Sequence, residues 1–189
     1  WADGEQVSQG TSYIGALPRI VWPDWATRTV NLPRPLTADD FAIAAAPDRA
    51  TMRAALLRPF HWDGAFIETE LAVTDGFVER DSTRNITKFA VVDRYSGSGA
   101  VAKMFWLGCG PATPDTALAC SVSHDQHNIW VVGSSDTAMA DAVNRIRANQ
   151  GGWALASGGR ILADLRYEVG GLMSCRPAQD LDAGYHALE

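Results

Sequence analysis

Hydrophobic and polar positions keep a regular spacing along the last two thirds of the chain. Phe66, Glu68 and Glu70 alternate with Ile67, Thr69 and Leu71, the period of two that a half-buried strand requires. Asp75-Gly76 separates "ELAV" from "FVER" and is a pair suited to a tight hairpin turn. "NITKFAVVDRY" reads as a strand with Ile86, Phe89, Val91 and Val92 near its core, and "SGSG" (96–99) as a turn into "AVAKMFWLG". "ALACSVS" and "NIWVVG" are short apolar runs and read as buried strands. Spacing changes at "SSDTAMADAVNRIRANQGG", where Met139, Val143 and Ile146 fall on one helical face. Ser135 can cap that helix, Asp136 suits its first turn, Arg145 and Arg147 suit its C-terminal end, and Gly151-Gly152 should stop it. "WALASGGRILADL" predicts a hairpin around Gly158-Gly159. "RPAQDLDAGYHALE" predicts a helix with Pro177 near its first turn, and its pattern is still running at the last residue, so the natural domain is expected to continue.

The first third lacks such order. "ALPRIVWPDWATRTVNLPRPLTADDF" interleaves Pro18, Pro23, Pro33 and Pro35 with Trp22 and Trp25. Prolines at that density exclude a long helix and block a central strand, while so much apolar area disfavours a free linker. An extended arm whose aromatic residues are buried on a neighbouring surface is expected. Thr37 and Asp40 have capping-box spacing, which predicts a short helical turn. "ATMRAALLRPF" fits either a strand or a short helix. Together these elements predict an α+β fold: a mixed β-sheet with a few packed helices on one side, preceded by an extended Pro/Trp-rich arm. The arm or linker spans 1–36 and the domain 37–189.

The chain has 189 residues, enough for one domain with a sizeable core, and 47% hydrophobic residues. Its formal net charge of −6 argues against nucleic acid or an anionic membrane surface as partner. No apolar run reaches the roughly 18 residues of a membrane-spanning helix. Cys109, Cys120 and Cys175 make an odd set without a CxxC pair, which points to buried thiols in a reducing, cytoplasmic compartment.

"SVSHDQHNIWVVG" carries the densest chemistry, with His124, Asp125, His127 and Asn128 between two apolar runs. A complete metal site needs three or more ligands. The other histidines, His61 and His186, supply no further motif, and there is no His-x-His, His-Glu-x-x-His or Cys-x-x-Cys. A triad from Ser121 or Ser123 with His124 and Asp125 is disfavoured because adjacent strand residues face opposite ways, and no Gly-x-Ser-x-Gly elbow is present. A polar turn remains, since Asp and Asn bond their own backbone. Yet four polar side chains beside buried strands each cost about 1–3 kcal/mol if left unpaired, so a ligand or a second domain is an equally open explanation. Asp93-Arg94-Tyr95 reads as a surface ion pair in preference to a ligand site, Arg84-Asn85 as a turn, and Trp130 as core. The glycine-rich stretches lack phosphate-cradle spacing.

"LPRPLTADDFAI", "NITKFAVVDRY", "SVSHDQHNIWVVGSSDTAMADAVNRI" and "GLMS" occur in order, and this succession resembles the C-terminal domain of bacterial adenine deaminases of the amidohydrolase superfamily. The resemblance runs from about Leu32 to Ser174. Its most specific part is Ser-x-x-His-Asp-x-His-Asn, at Ser121, His124, Asp125, His127 and Asn128. It implies a hydrolase that turns adenine and water into hypoxanthine and ammonia, with Mn or Fe on a preceding (β/α)-barrel and no metal on this part. It further implies that the five motif residues bind substrate as one wall of the active site, and that the partners are the barrel, adenine or a related purine, and other copies in a homo-oligomer. In that role the Asn128 amide would match the N6/N7 edge of adenine, and Asp125 would fix a neighbouring imidazole tautomer. Gln126, Tyr95 and the bulky "MFWLGCG" depart from the family pattern, which leaves a shifted substrate open. The alternative function is a stand-alone binding or structural module of the same fold.

Overall fold

A computed structural model describes every residue except 2, 11, 15–19, 59–65 and 189, together with the side chain of 13 left aside. Pro18 and His61 therefore lie outside the described residues.

Eleven described strands and four helices follow the chain. A small hairpin, β1 (Ser8–Gln9) and β2 (Ser12–Tyr13), opens it. Two four-residue helices come next, α1 (Asp24–Thr27) and α2 (Ala38–Phe41). The sheet strands are β3 (Thr51–Leu57), β4 (Phe66–Thr74), β5 (Phe77–Val78), β6 (Ile86–Val92), β7 (Val101–Leu107), β8 (Thr116–Cys120) and β9 (Ile129–Gly133). The long helix α3 (Asp136–Asn149) precedes β10 (Gly152–Ser157) and β11 (Arg160–Arg166), and α4 (Ala178–His186) ends the fold. "ATMRAALL" is thus a strand: it pairs antiparallel with β4 over its whole length.

The sheet has nine strands in the order β11-β10-β8-β9-β6-β7-β3-β4-β5. Only the β3–β7 pair is parallel, so the sheet is mixed. Between β9 and β10 the chain crosses over β8 through α3. Ser135 accepts from the Ala138 N–H at 3.1 Å and caps α3 as its spacing predicts. The helix stops one residue before the glycine pair: Gln150 takes the left-handed conformation (φ 61°), and Gly152 already starts β10. Asp75 and Gly76 both have positive φ between β4 and β5, as a two-residue hairpin requires.

The two faces of the sheet differ in side-chain size. Ala90, Val92, Ala117, Ala119, Ile129, Val131, Ala154 and Ala156 pack with Met139, Val143 and Ile146 of α3. Small side chains there let the helix lie close to the strands, and every one of them is essentially fully buried. A second cluster of Leu56, Leu71, Val78, Ile86 and Phe105 continues the core toward β5. The opposite face carries Phe89, Trp106, Trp130 and Trp153, all half-buried. The helices are not confined to one side. Gly184 of α4 approaches Leu165, and Tyr185 packs edge-on against Trp153, whose strand neighbour Ala154 faces α3. Alternation along β10 and β11 therefore puts α4 on the aromatic face.

The arm is extended and pinned along α3 from Val30 onward. The Asn144 amide bonds Leu36 N and O at 2.8 Å each, and Gln150 Oε1 accepts from Val30 N at 3.1 Å. Val30, Leu32 and Leu36 are buried. Thr37 and Asp40 form the expected capping box at α2. Burial of the arm's aromatic residues is not found, because Trp25 is 80% exposed and Trp22 38%. Both precede the stretch that α3 holds.

Candidate functional site

Residues 121–128 leave β8 at one end of the sheet and turn back into β9. Asp125 (φ 71°) and His127 (φ 53°) both adopt the left-handed conformation, and His127 N–H donates to Ser123 O at 2.7 Å. This sharp reversal sends neighbouring side chains in different directions, so the five motif residues do not converge on one point.

Ser121 is fully buried at the base of the turn. Its hydroxyl donates to Gly171 O at 2.5 Å and accepts from Gly152 N–H at 2.8 Å. His124 is exposed and borders a cavity of about 1040 Å³ on the aromatic face. Asp125 lies exposed at the tip. His127 is half-buried, and its carbonyl accepts from Arg94 Nε at 2.5 Å. Both ends of the Asn128 amide are engaged near the turn: Oδ1 accepts from Arg94 N–H at 3.4 Å, and Nδ2 donates to Gln126 Oε1 at 3.3 Å. Of the five, His124 faces the cavity while Ser121, His127 and Asn128 hold the turn's shape.

The cavity floor is a row of four aromatic rings, one each from β7, β6, β9 and β10. Phe89 stacks on Trp106 with centroids 3.8 Å apart and planes 8° from parallel. Trp130 lies beside Phe89 at 6.4 Å and meets Trp153 edge-on at 5.5 Å. Trp130 is therefore a cavity wall as well as core, and its indole N–H donates to Val122 O at 3.1 Å. The Trp106 indole nitrogen is buried with no acceptor among the described residues, a costly arrangement unless something else supplies one. Ser123, Thr113, Cys109 and Ser157 add polar atoms around the row. Such a surface can stack a flat heterocycle and bond it at an edge.

Two features escaped the sequence. Arg94 is not at the surface and has no ion pair among the described residues: it is 0% exposed, under the turn, and bonded to neutral oxygens. Burial holds its guanidinium pKa below the usual value. Asp93, its neighbour in sequence, is instead occupied by Tyr95 N–H and by the Ser96 and Ser98 hydroxyls, which no local sequence pattern signals. Lys88, in the middle of β6, is also buried and pairs with both Asp136 oxygens at 2.8 and 2.7 Å at the start of α3. The thiols divide as well. Cys120 is buried, and burial pushes its pKa up to about 12, but Cys109 is half-buried and Cys175 exposed, so the expectation of three buried thiols holds for one.

Among the described residues, no three His, Cys, Asp or Glu side chains come together as a metal-holding group. None of the described helices is long and apolar enough to cross a membrane.

The sequence-family model for the adenine deaminase C-terminal domain matches residues 65–189, which include the turn, Arg94, α3 and the whole aromatic row. The chain belongs to this family. Curated relatives extend the likeness through the arm. Adenine deaminase 1 of Bradyrhizobium sp. (strain ORS 278) is 64% identical over 188 residues, covering 100% of this chain. Adenine deaminase 2 of Bradyrhizobium diazoefficiens is 63% identical and adenine deaminase 2 of Jannaschia sp. (strain CCS1) 61%, again over 100% of the chain. This adenine deaminase C-terminal domain, arm included, spans 30% of the length of each of these relatives.

Proposed function

We propose that this chain is the C-terminal portion of an adenine deaminase, which hydrolyses adenine to hypoxanthine and ammonia, and that its aromatic face closes over an active site carried by the preceding part of the polypeptide. One observation carries the reading. In a chain of this family, His124 stands at the rim of a large cavity floored by Phe89, Trp106, Trp130 and Trp153.

In this role the chain's own groups have simple tasks. The indoles stack against a planar purine and keep water from its faces. An imidazole can donate to, or accept from, a ring nitrogen or the departing amine, and His124 is the motif histidine that lines the cavity. Asp125, exposed on the same turn, is the neighbouring carboxylate available to orient it. Ser121, His127 and Asn128 contribute by fixing the turn. Manganese or iron would be held by the preceding barrel, and the described side chains here form no set that fits a metal. The greater length of the relatives favours this reading over a stand-alone module.

The test is His124→Ala in the full-length protein, with ammonia release from adenine measured in Mn²⁺. Loss of a general acid or base lowers turnover about 10²- to 10⁴-fold. Unchanged kcat and KM would remove His124, and with it the proposed wall, from the active site.

A further inference from the structure

Beneath the turn, three segments distant in sequence meet at one side chain. Arg94 donates from Nε to His127 O at 2.5 Å, from Nη1 to Thr29 O at 3.1 Å and Thr29 Oγ1 at 2.8 Å, and from Nη2 to Tyr95 Oη at 2.6 Å and Gly170 O at 2.9 Å. Its backbone takes part too: Arg94 N–H donates to Asn128 Oδ1, and Arg94 O accepts from Asn31 N–H at 2.7 Å. The Tyr95 ring lies 4.3 Å from the guanidinium carbon. Gly171 admits this packing because a Cβ there would stand 2.6 Å from Nη1.

Such a burial is expensive. A fully buried cation with no carboxylate partner among the described residues loses its hydration and regains neutral acceptors and an aromatic ring. Nothing in the sheet requires a charge at this position, since strand β6 has ended at Val92. What the guanidinium does uniquely is geometric: a planar fork reaches the arm, the turn and the 170–171 loop at fixed angles, which a lysine cannot do. The turn needs such a hold. Asp125 and His127 are non-glycine residues in the left-handed region, a conformation that persists only when its surroundings over-determine it. Arg94 supplies both an outside hydrogen bond to the His127 carbonyl and one to the Asn128 side chain.

We propose that Arg94 is a positioning residue: it locks the turn of residues 123–128 to the arm at Thr29 and so sets where His124 stands over the aromatic cavity. The turn is thereby held in register with the segment that leads into the domain. Its consequence for deamination rests on the reading given under Proposed function; its action on the turn does not.

Amide hydrogen exchange and steady-state kinetics of the full-length protein test it together. Arg94→Lys keeps the charge and removes the fork. Exchange is expected to quicken in peptides spanning 122–130 and 26–31, with the α3 core around Met139–Ile146 unchanged. A small displacement of a reacting group costs up to about 10²-fold, so kcat/KM for adenine should fall about 10- to 100-fold, without the wild-type value being restored by lysine. If Arg94→Lys does not fold, Thr29→Val removes one acceptor and should loosen 122–130 to a smaller extent. Unchanged exchange in 122–130, or equal acceleration there and in α3, would overturn the proposal. Loosening of 122–130 in Arg94→Lys together with silent kinetics in His124→Ala would leave Arg94's positioning of the turn standing and reject the functional reading alone.

Discussion

Replacing Ser121 with alanine isolates the hydroxyl at the base of the turn. Ser121 belongs to the motif, yet it is fully buried and its oxygen serves two backbone groups, accepting from Gly152 N–H at 2.8 Å and donating to Gly171 O at 2.5 Å. Alanine fills nearly the same space but leaves both groups without this partner, and neither gains access to water. Each buried group left unpaired costs about 1–3 kcal/mol, so the substitution should destabilise the chain by about 2–6 kcal/mol. For a domain of this size that is a fall in Tm of roughly 4–24 °C. Urea denaturation followed by tryptophan fluorescence reads the difference, with an unchanged m-value as the check that only stability has moved. Ser123→Ala is the control and should stay within about 0.5 kcal/mol, since it is the Ser123 carbonyl that takes part in the turn. A loss below about 0.5 kcal/mol for Ser121→Ala at constant m would refute the argument. So would a large drop in adenine turnover with stability intact, because that pattern belongs to a hydroxyl that touches substrate.

Three further outcomes follow from other parts of the fold. Gly152→Ala should prevent folding, because φ is +114° and a Cβ would lie 1.8 Å from Leu165 O, whereas Gly158→Ala, with open space around it, should cost only about 1–2 kcal/mol; soluble yield and circular dichroism separate the two. The Arg34 guanidinium holds the Asp40 pKa down from 3.8 to about 2, so this carboxylate stabilises the fold fully above pH 4 and ceases to as pH falls through 2; Asp40→Asn should lack that segment of a stability profile measured from pH 5 to 2. Iodoacetamide at pH 8 should label exposed Cys175 in the native chain and spare Cys120 until the protein unfolds, and rapid native labelling of Cys120 on mass spectrometry would contradict its burial.

Much of the fold was written in local patterns. Period-two alternation located β4, the Asp75-Gly76 pair located its hairpin, and the spacing of Met139, Val143 and Ile146 located α3 with its Ser135 cap. Each depends on residues close in sequence, whose backbone preferences and side-chain periodicity act before any tertiary contact forms. The stop of α3 was missed by one residue, because Gln150 accepts the left-handed conformation while its side chain bonds Val30, 120 residues away. The exposed Trp22 and Trp25 show the opposite limit: composition indicates that aromatic area needs cover, but not which surface provides it.

By itself the sequence determined the chemistry available in "SVSHDQHNIWVVG", a polar turn between apolar strands, and that turn lies within the residues 65–189 that match the family. Only the tertiary structure decided how those residues are divided. It turned His124 toward a cavity lined from six strands, spent Ser121 on two backbone groups, and bound the His127 carbonyl to Arg94. The physical reason is that side-chain direction in a turn is set by its φ angles and outside anchors. At Arg94 those anchors reach residues 65 and 76 positions away, at Thr29 and Gly170. No short window of sequence contains both ends of such a contact.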